Sequence, residues 1–282
     1  MAKVKANTTQ FLAIDPRLLD YKKASFAVVP VPYEATTSYG KGAKNGPAAI
    51  LKASHQLEHF DEEAEQEPGN DSWVYTFPPV ALPKLDAQIA SLLKDKKIPV
   101  ILGGEHSITP LAVKAFAKQH KDLSVLHFDA HADLRDSYRG RKDSHACAMR
   151  RVLEICPAVQ VGIRSLSKEE WEFAKASGQI DKIHWAQKIE LVEKIENQLS
   201  KDVYISIDVD VFDPSVMPAT GTPEPGGMFW YEVLDILSRV CRDKNIVGFD
   251  VVELAPRKGE IFSDFTVAKL IFKIMGYIWG KR

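Results

Sequence analysis

Three short stretches of this chain concentrate side chains that bind divalent metals: Gly103-Gly104-Glu105-His106-Ser107, Asp129-Ala130-His131-Ala132-Asp133 and Asp208-Val209-Asp210. In extended backbone, Asp129, His131 and Asp133 sit at a spacing of two and point to one side, and so do Asp208 and Asp210. Burying these carboxylates and the imidazoles of His106 and His131 without cationic partners is prohibitively costly, and divalent ions remove that cost. The six side chains exceed what one catalytic ion with an open position accommodates. They suit two ions that share bridging carboxylates and hold a water between them, which is hydrolytic chemistry. No thiolate belongs to the cluster, so a structural zinc site is disfavoured against manganese, iron, cobalt or nickel. Two dications against four aspartates and a hydroxide leave a slightly negative core, which attracts a cationic substrate. A phosphate-cleaving site would more often add Arg or Lys. Taken singly, Asp133 or Asp210 reads equally well as the start of a turn, and Gly103-Gly104 as a tight turn. Joint occurrence is what points to metal.

Each cluster follows an apolar run with the length of a buried strand. The runs predict strands over Phe26–Val31, Ile98–Leu102, Ser124–Phe128, Val159–Ile163, Val203–Ile207 and Ile246–Val251. Between them lie helical stripes: Leu85, Ile89, Leu92 and Leu93; Ile108, Leu111, Ala112, Ala115 and Phe116; Trp230, Val233, Leu234, Leu237, Val240 and Cys241; and Val267 to Ile278. Each stripe reads as core packing rather than a partner site. The alternation predicts an α/β fold, a mostly parallel sheet with helices on both faces, spanning 1–282 as one domain because no linker-like tract interrupts it. In such sheets ligand sites form beyond the carboxyl ends of the strands, so the three clusters are expected to converge. Segment 61–82, acidic and then aromatic-rich, fits no element of this scheme.

Bulk properties narrow the classes. The chain has 282 residues, 45% hydrophobic and 27% charged, with 37 basic against 38 acidic residues and a formal charge of −1. No basic excess drives binding to nucleic acid or anionic membranes, and the cluster Arg135, Arg139, Arg141 and Lys142 reads as a solvated loop. Three cysteines, Cys147, Cys156 and Cys241, form no zinc, redox or disulfide pattern, which points to a reducing cytoplasm. No signal-like segment opens Met1–Asn7, and no run approaches the ~20 apolar residues of a membrane span.

The motifs together resemble the ureohydrolases, the arginase/agmatinase group of dimanganese amidinohydrolases. The resemblance starts at Pro32-Tyr33 and Gly46-Pro47-Ala48-Ala49-Ile50 and runs through the three clusters. It extends over Ser206 to Pro214, Gly221-Thr222-Pro223-Glu224-Pro225-Gly226-Gly227 and Asp250-Val251-Val252-Glu253-Leu254-Ala255-Pro256. It implies two Mn2+ per subunit: His106, Asp129, Asp133 and Asp208 would hold one, and His131, Asp129, Asp208 and Asp210 the other. Asp129 and Asp208 would bridge them. It further implies that Glu253 pairs with the substrate guanidinium, that His145 shuttles a proton to the departing amine, and that the chain assembles as a homo-oligomer, a trimer or hexamer.

The resemblance is closest to agmatinase. Arginases continue the Asp-Ala-His-x-Asp motif with Ile-Asn and small polar residues, whereas here Leu134-Arg135-Asp136-Ser137-Tyr138-Arg139 follows, which puts arginase activity in doubt. The stretch from Ser144 to Arg151 resembles the agmatinase pattern, although it departs from the commoner His-Gly-Thr version. A small cationic guanidino substrate is expected, agmatine first, giving putrescine and urea. N1-aminopropylagmatine, giving spermidine, is the near alternative, and Asp136 or Glu224 are candidates to meet the distal amine. Guanidinobutyrate or formiminoglutamate would instead need Arg135 or Arg139 for a carboxylate tail. A single-zinc deacylase and a non-catalytic binding protein are the readings from other classes, and the full ligand set argues against both.

Overall fold

Residues that would be polar in a half-exposed sheet are apolar here on both strand faces, and the chain uses them to bury a sheet on both sides. The structure, a computed structural model, describes residues 10–14, 19–63, 65, 67, 73–188 and 192–280. Eight strands are described: β1 (Phe26–Val31), β2 (Val74–Thr76), β3 (Ile98–Gly103), β4 (Leu123–Phe128), β5 (Ala158–Ile163), β6 (Ile183–Trp185), β7 (Asp202–Asp208) and β8 (Asn245–Val252). They form one parallel sheet in the order β2-β1-β3-β8-β7-β4-β5-β6. Every residue of β1, β3, β4 and β5 is buried, as parallel strands sandwiched between helices require.

Helices cover both faces. On one side α1 (Gly46–Ser54), α6 (Val192–Gln198), α7 (Trp230–Asp243) and α8 (Phe262–Gly280) pack into a core with Phe26, Leu126, Ile205 and Phe249. On the other, α2 (Leu85–Lys94), α3 (Thr109–Ala117), α4 (Ala148–Leu153) and α5 (Lys168–Ser177) pack against Val29, Ile101, Val125 and Tyr204. The α5 helix opens on a capping box, in which the Ser167 hydroxyl accepts from Glu170 N and the Glu170 carboxylate accepts from Ser167 N.

The six expected strands are present, each within a residue of its expected ends. The two that escaped, β2 and β6, are three-residue edge strands, too short for a periodicity to register. One stripe residue is misplaced: Leu111 is 41% exposed, because the buried face of α3 centres on Ala112, Val113 and Phe116 and leaves Leu111 beyond its edge. Segment 61–82 gains a partial account. Asp61 and Glu63 meet Lys273 of α8, and Trp73 and β2 complete the sheet edge. The opening Met1–Asn7 lies outside the described residues. Among those described, no helix is long and apolar enough to cross a membrane.

The order β3-β8-β7-β4 is what matters for chemistry. Strands β3 and β4 are consecutive in sequence, yet β8 and β7 lie between them, so the chain switches direction across the sheet centre. Connections leave such a point on opposite sides and open a crevice beyond the strand ends.

Candidate metal centre

Each of the four central strands delivers a polar residue to that crevice. His106 follows β3, Asp129 follows β4, Asp208 ends β7 and Glu253 follows β8. The turn after β3 depends on Gly104. A Cβ there would lie 1.9 Å from the Tyr33 carbonyl oxygen, while Gly104 N donates to Val31 O (3.0 Å) and its own carbonyl accepts from Glu253 N (2.8 Å). The clash is with backbone and cannot relax by rotamer change. Gly104→Ala should therefore destabilise the protein by roughly 2 kcal/mol or more. An unchanged midpoint in equilibrium denaturation would contradict this.

Backbone geometry departs from simple extended alternation at two places. Asp133 has a left-handed backbone (φ 52°), which swings its carboxylate beneath His106. Asp208 caps a 3-10 turn over Val209–Val211, with its Oδ1 accepting from Asp210 N at 2.9 Å. The expected groups still meet, because short turns re-aim the carboxylates as effectively as a strand would. Glu253 also adopts a left-handed backbone (φ 66°).

His106 Nδ1 faces three carboxylates, with Asp129 Oδ2 and Asp133 Oδ2 at 3.2 Å and Asp208 Oδ2 at 3.6 Å. It is buried and makes no hydrogen bond. A buried ring nitrogen encircled by oxygens at these spacings is what a metal ligand looks like, since the edge of an octahedron with bonds of about 2.1 Å is about 3 Å. His131 Nδ1 lies 3.5 Å from Asp129 Oδ1 and 3.0 Å from Asp210 Oδ2, and these three residues form a second metal-capable group. Asp129 thus presents one oxygen to each imidazole, as a bridging carboxylate must. Asp208 faces His106 through Oδ2, and its second oxygen takes the Asp210 amide. The donor set, imidazole nitrogen and carboxylate oxygen without thiolate, fits a binuclear site for borderline-to-hard dications. His145 and Glu253 line the same cavity of about 240 Å³ as His106, His131, Asp133 and Asp208.

A protein-family model described as the arginase family matches residues 24–276. The chain belongs to the arginase family. It is 40% identical to the N(1)-aminopropylagmatine ureohydrolase of Synechocystis, over 99% of this chain and 96% of that protein. It is 35% identical to an agmatinase of Pyrococcus horikoshii, over 92% and 93%. The crystal structure of the agmatine ureohydrolase of Thermoplasma volcanium superposes with a TM-score of 0.82 at 30% identity, covering 93% of this chain and 92% of that one.

Burial and like charge crowd this arginase-family site with groups that bound dications would offset. Burial pushes Asp208 and Asp210 upward, reinforced by repulsion among Asp208, Asp210 and Asp129. Burial likewise pushes Glu253 up to about 8, despite the His106 amide donating to its Oε1 at 2.8 Å. Burial opposes charge on His106, but the facing carboxylates of Asp129, Asp133 and Asp208 outweigh it and raise the imidazole. His131 is raised in the same way by Asp210 and Asp129 against its own burial. For Asp129, burial would raise the carboxyl, yet His106, His127 and His131 outweigh it and hold it low. Without cations the imidazoles are drafted as counter-ions, a role that metal takes over.

Sequence reading missed the layer beneath. Gln160 on β5, His127 on β4, Ser206 on β7 and Asp250 on β8 occupy one transverse row of the sheet by register. His127 Nε2 lies 3.0 Å from Asp129 Oδ2, and the Gln160 amide faces His127 Nδ1 at 3.2 Å. Ser206 donates to Asp250 Oδ1 (2.7 Å), so its oxygen accepts from His106 Nε2 at 3.1 Å. That leaves Nδ1 with the lone pair. Tyr204 and Thr109 hydroxyls complete the Asp250 shell at 2.7 and 2.9 Å. A signal existed, since His127 and Ser206 sit two residues before Asp129 and Asp208 and so share their face. His127 joins His106 and Asp129 in a cluster able to hold metal, but Asp129 and Gln160 occupy its two nitrogens.

Other sequence candidates sort themselves. Asp136 is held by Arg151 (2.8 Å) and Lys142 (3.2 Å), whereas Glu224 stands 3.8 Å from His131 and accepts from Ser165. Of the basic cluster, Arg141 and Lys142 are exposed and ion-paired, but Arg135 lines the cavity. Burial raises the Cys147 and Cys156 thiols to about 11, away from reactivity.

Proposed function

We propose that this protein hydrolyses the guanidinium of agmatine to urea and putrescine at a dimanganese centre. His106, Asp129, Asp133 and Asp208 would hold one ion, and His131, Asp129, Asp208 and Asp210 the other. The observation that carries the reading is His106 Nδ1, buried without a hydrogen bond among three carboxylate oxygens, with Asp129 reaching on to His131. When bound, the two cations lower the pKa of water and supply hydroxide near neutral pH, which a resonance-stabilised guanidinium requires.

The chain's own residues do the rest. Glu253, buried at the cavity wall, offers a carboxylate to pair with the guanidinium and orient its carbon toward the metal side. Its oxygen that accepts from His106 N fixes the carboxylate plane. A planar cation bound there also supplies the charge that burial otherwise denies Glu253. His145 is the proton carrier, moving a proton to the departing amine nitrogen as the C–N bond breaks. The cavity bears Asp133, Glu170, Asp208 and Glu253. Its Arg135 is turned to Glu170 (3.7 Å) and lies over the Tyr138 ring at 5.2 Å, so a cationic tail is favoured over a carboxylate one. Asp136 is taken up by Arg151 and Lys142, which leaves Glu224 as the carboxylate to meet the distal amine.

N1-aminopropylagmatine is the second reading, favoured because the 40% identical Synechocystis relative bears that substrate in its name while the agmatinase relative is 35% identical. Urea release from agmatine, N1-aminopropylagmatine, arginine and 4-guanidinobutyrate with manganese-loaded protein decides. Expected is a kcat/KM for agmatine at least about a hundredfold above arginine and guanidinobutyrate. A higher value for N1-aminopropylagmatine selects the second reading, and release of formamide instead of urea rejects both. A cytoplasmic homo-oligomer, trimer or hexamer, completes the proposal. Exposed Ile261, Phe262 and Phe265 at the start of α8 support an assembly surface.

A further inference from the structure

We propose that Glu105, acting through the Thr36 hydroxyl, fixes the tautomer and orientation of His145, so that Glu105 and Thr36 are positioning residues for proton transfer. The inference rests on the role given to His145 above. Glu105 sits in the Gly-Gly-Glu-His-Ser stretch beside a candidate ligand and is fully buried, but its carboxylate turns to the loop after β1. Its Oε2 accepts from Ala35 N (2.7 Å) and Thr36 N (2.6 Å), and its Oε1 from Thr36 Oγ1 (2.7 Å) and Ser107 Oγ (2.6 Å).

A hydroxyl has one proton, and Thr36 commits its proton to Glu105. Its oxygen then has only lone pairs to offer His145, whose Nδ1 lies 3.1 Å away and whose backbone N donates at 3.0 Å. The Ser144 hydroxyl also faces Nδ1, at 3.3 Å, and can accept as readily as donate, so the shorter contact to the proton-committed Thr36 oxygen assigns the ring proton to Nδ1. Nε2 keeps a lone pair on a side chain that lines the cavity with Glu253. Tyr138 packs its ring against His145 at 5.9 Å in an edge-on arrangement, which restrains rotation from the other side. The His–Thr–Glu chain follows the general logic of a base oriented by a third group. In the reaction Nε2 takes a proton from water, and the imidazolium gives it to the leaving amine nitrogen as the C–N bond breaks. Through both steps Nδ1–H stays on the Thr36 oxygen, whose dipole Glu105 polarises toward the developing cation.

Glu105→Gln would set an amide NH2 against two of these four donors and disturb folding, so Thr36 carries the test. Thr36→Val keeps shape and the backbone contact with Glu105 but removes the hydroxyl, and Thr36→Ser restores it. Expected for Thr36→Val is a kcat lower by about 10- to 100-fold, with KM and manganese affinity within about twofold of wild type. The inflection of the kcat–pH profile due to His145 should move to lower pH, because the imidazolium has lost its acceptor. Thr36→Ser should return all three. In zinc-loaded, 15N-histidine-labelled protein, the His145 signal, assigned with His145→Asn, should show a protonated Nδ1 and a bare Nε2. A bare Nδ1 in the wild type, or a Thr36→Val enzyme with unchanged kcat and pH profile, overturns the inference. Should His145→Asn retain full turnover, the role of His145 falls and this inference with it. A wrong tautomer in an enzyme that His145→Asn inactivates overturns the inference alone.

Discussion

Asp129→Ala is expected to lower urea release by at least about a thousandfold and to weaken binding of both cations. Asp129 is fully buried and reaches both imidazoles, His106 through Oδ2 at 3.2 Å and His131 through Oδ1 at 3.5 Å. Removing it takes a ligand from each metal group at once. It also strands the His127 Nε2–H and the His131 amide, both of which face Asp129 in the intact protein (3.0 and 2.6 Å). Each stranded donor costs about 1–3 kcal/mol. Asp133→Ala serves as the comparison. Asp133 faces His106 at 3.2 Å and is not in the His131 group, so its loss should weaken one cation and leave the other. Metal analysis after dialysis, with titration calorimetry on the stripped variants, reads both outcomes. Two cations bound by Asp129→Ala at wild-type affinity would remove the bridging assignment.

Metal removal should convert a stability that rises with pH into one that falls as pH rises. In the stripped protein burial holds Glu253 up to about 8 and raises Asp208 and Asp210, while facing carboxylates raise His106 and His131. A group raised in the folded state contributes stability that is complete below its unfolded pKa and is lost as pH climbs through the folded value. For Glu253 that window runs from about 4.3 in the unfolded chain to about 8 in the fold. Asp129 has the opposite sign, since it is held low and its contribution is lost on acidification. The stripped protein should therefore be most stable on the mildly acidic side of neutrality. Bound cations favour the ionised carboxylates and neutral imidazoles, which reverses the trend. Between pH 6 and 9 the Tm gap between manganese-loaded and stripped protein should widen by roughly 5–10 °C. On the acid side, loaded protein should lose metal and activity together as the same groups protonate. Scanning calorimetry of both forms across pH is the check, and a stripped protein whose Tm is flat or rises toward pH 9 would be incompatible with this charge arrangement.

What the sequence by itself determined was the chemistry and most of the framework. Apolar runs of strand length, ended by His106, Asp129 and Asp208, announced a parallel sheet and metal-binding strand ends, because burial on both faces leaves strands no polar alternation except where function demands it. The motifs also located Glu253 and His145, which line the cavity with four of the six candidate ligands. Sequence could not supply neighbourhood. That β8 and β7 lie between β3 and β4 is a property of non-local pairing, and it brings His106, Glu253, Asp208 and Asp129 together in spatial order. Register likewise aligned Gln160, His127, Ser206 and Asp250 into one row from strands far apart in the chain. Each looks alone like a stray polar residue in an apolar run. Only the packed sheet turns them into a shell, because a buried polar side chain must find its partner across strands when its own strand offers none. The same holds for Thr36, silent in a loop 109 residues from His145 until Glu105 draws that loop against it.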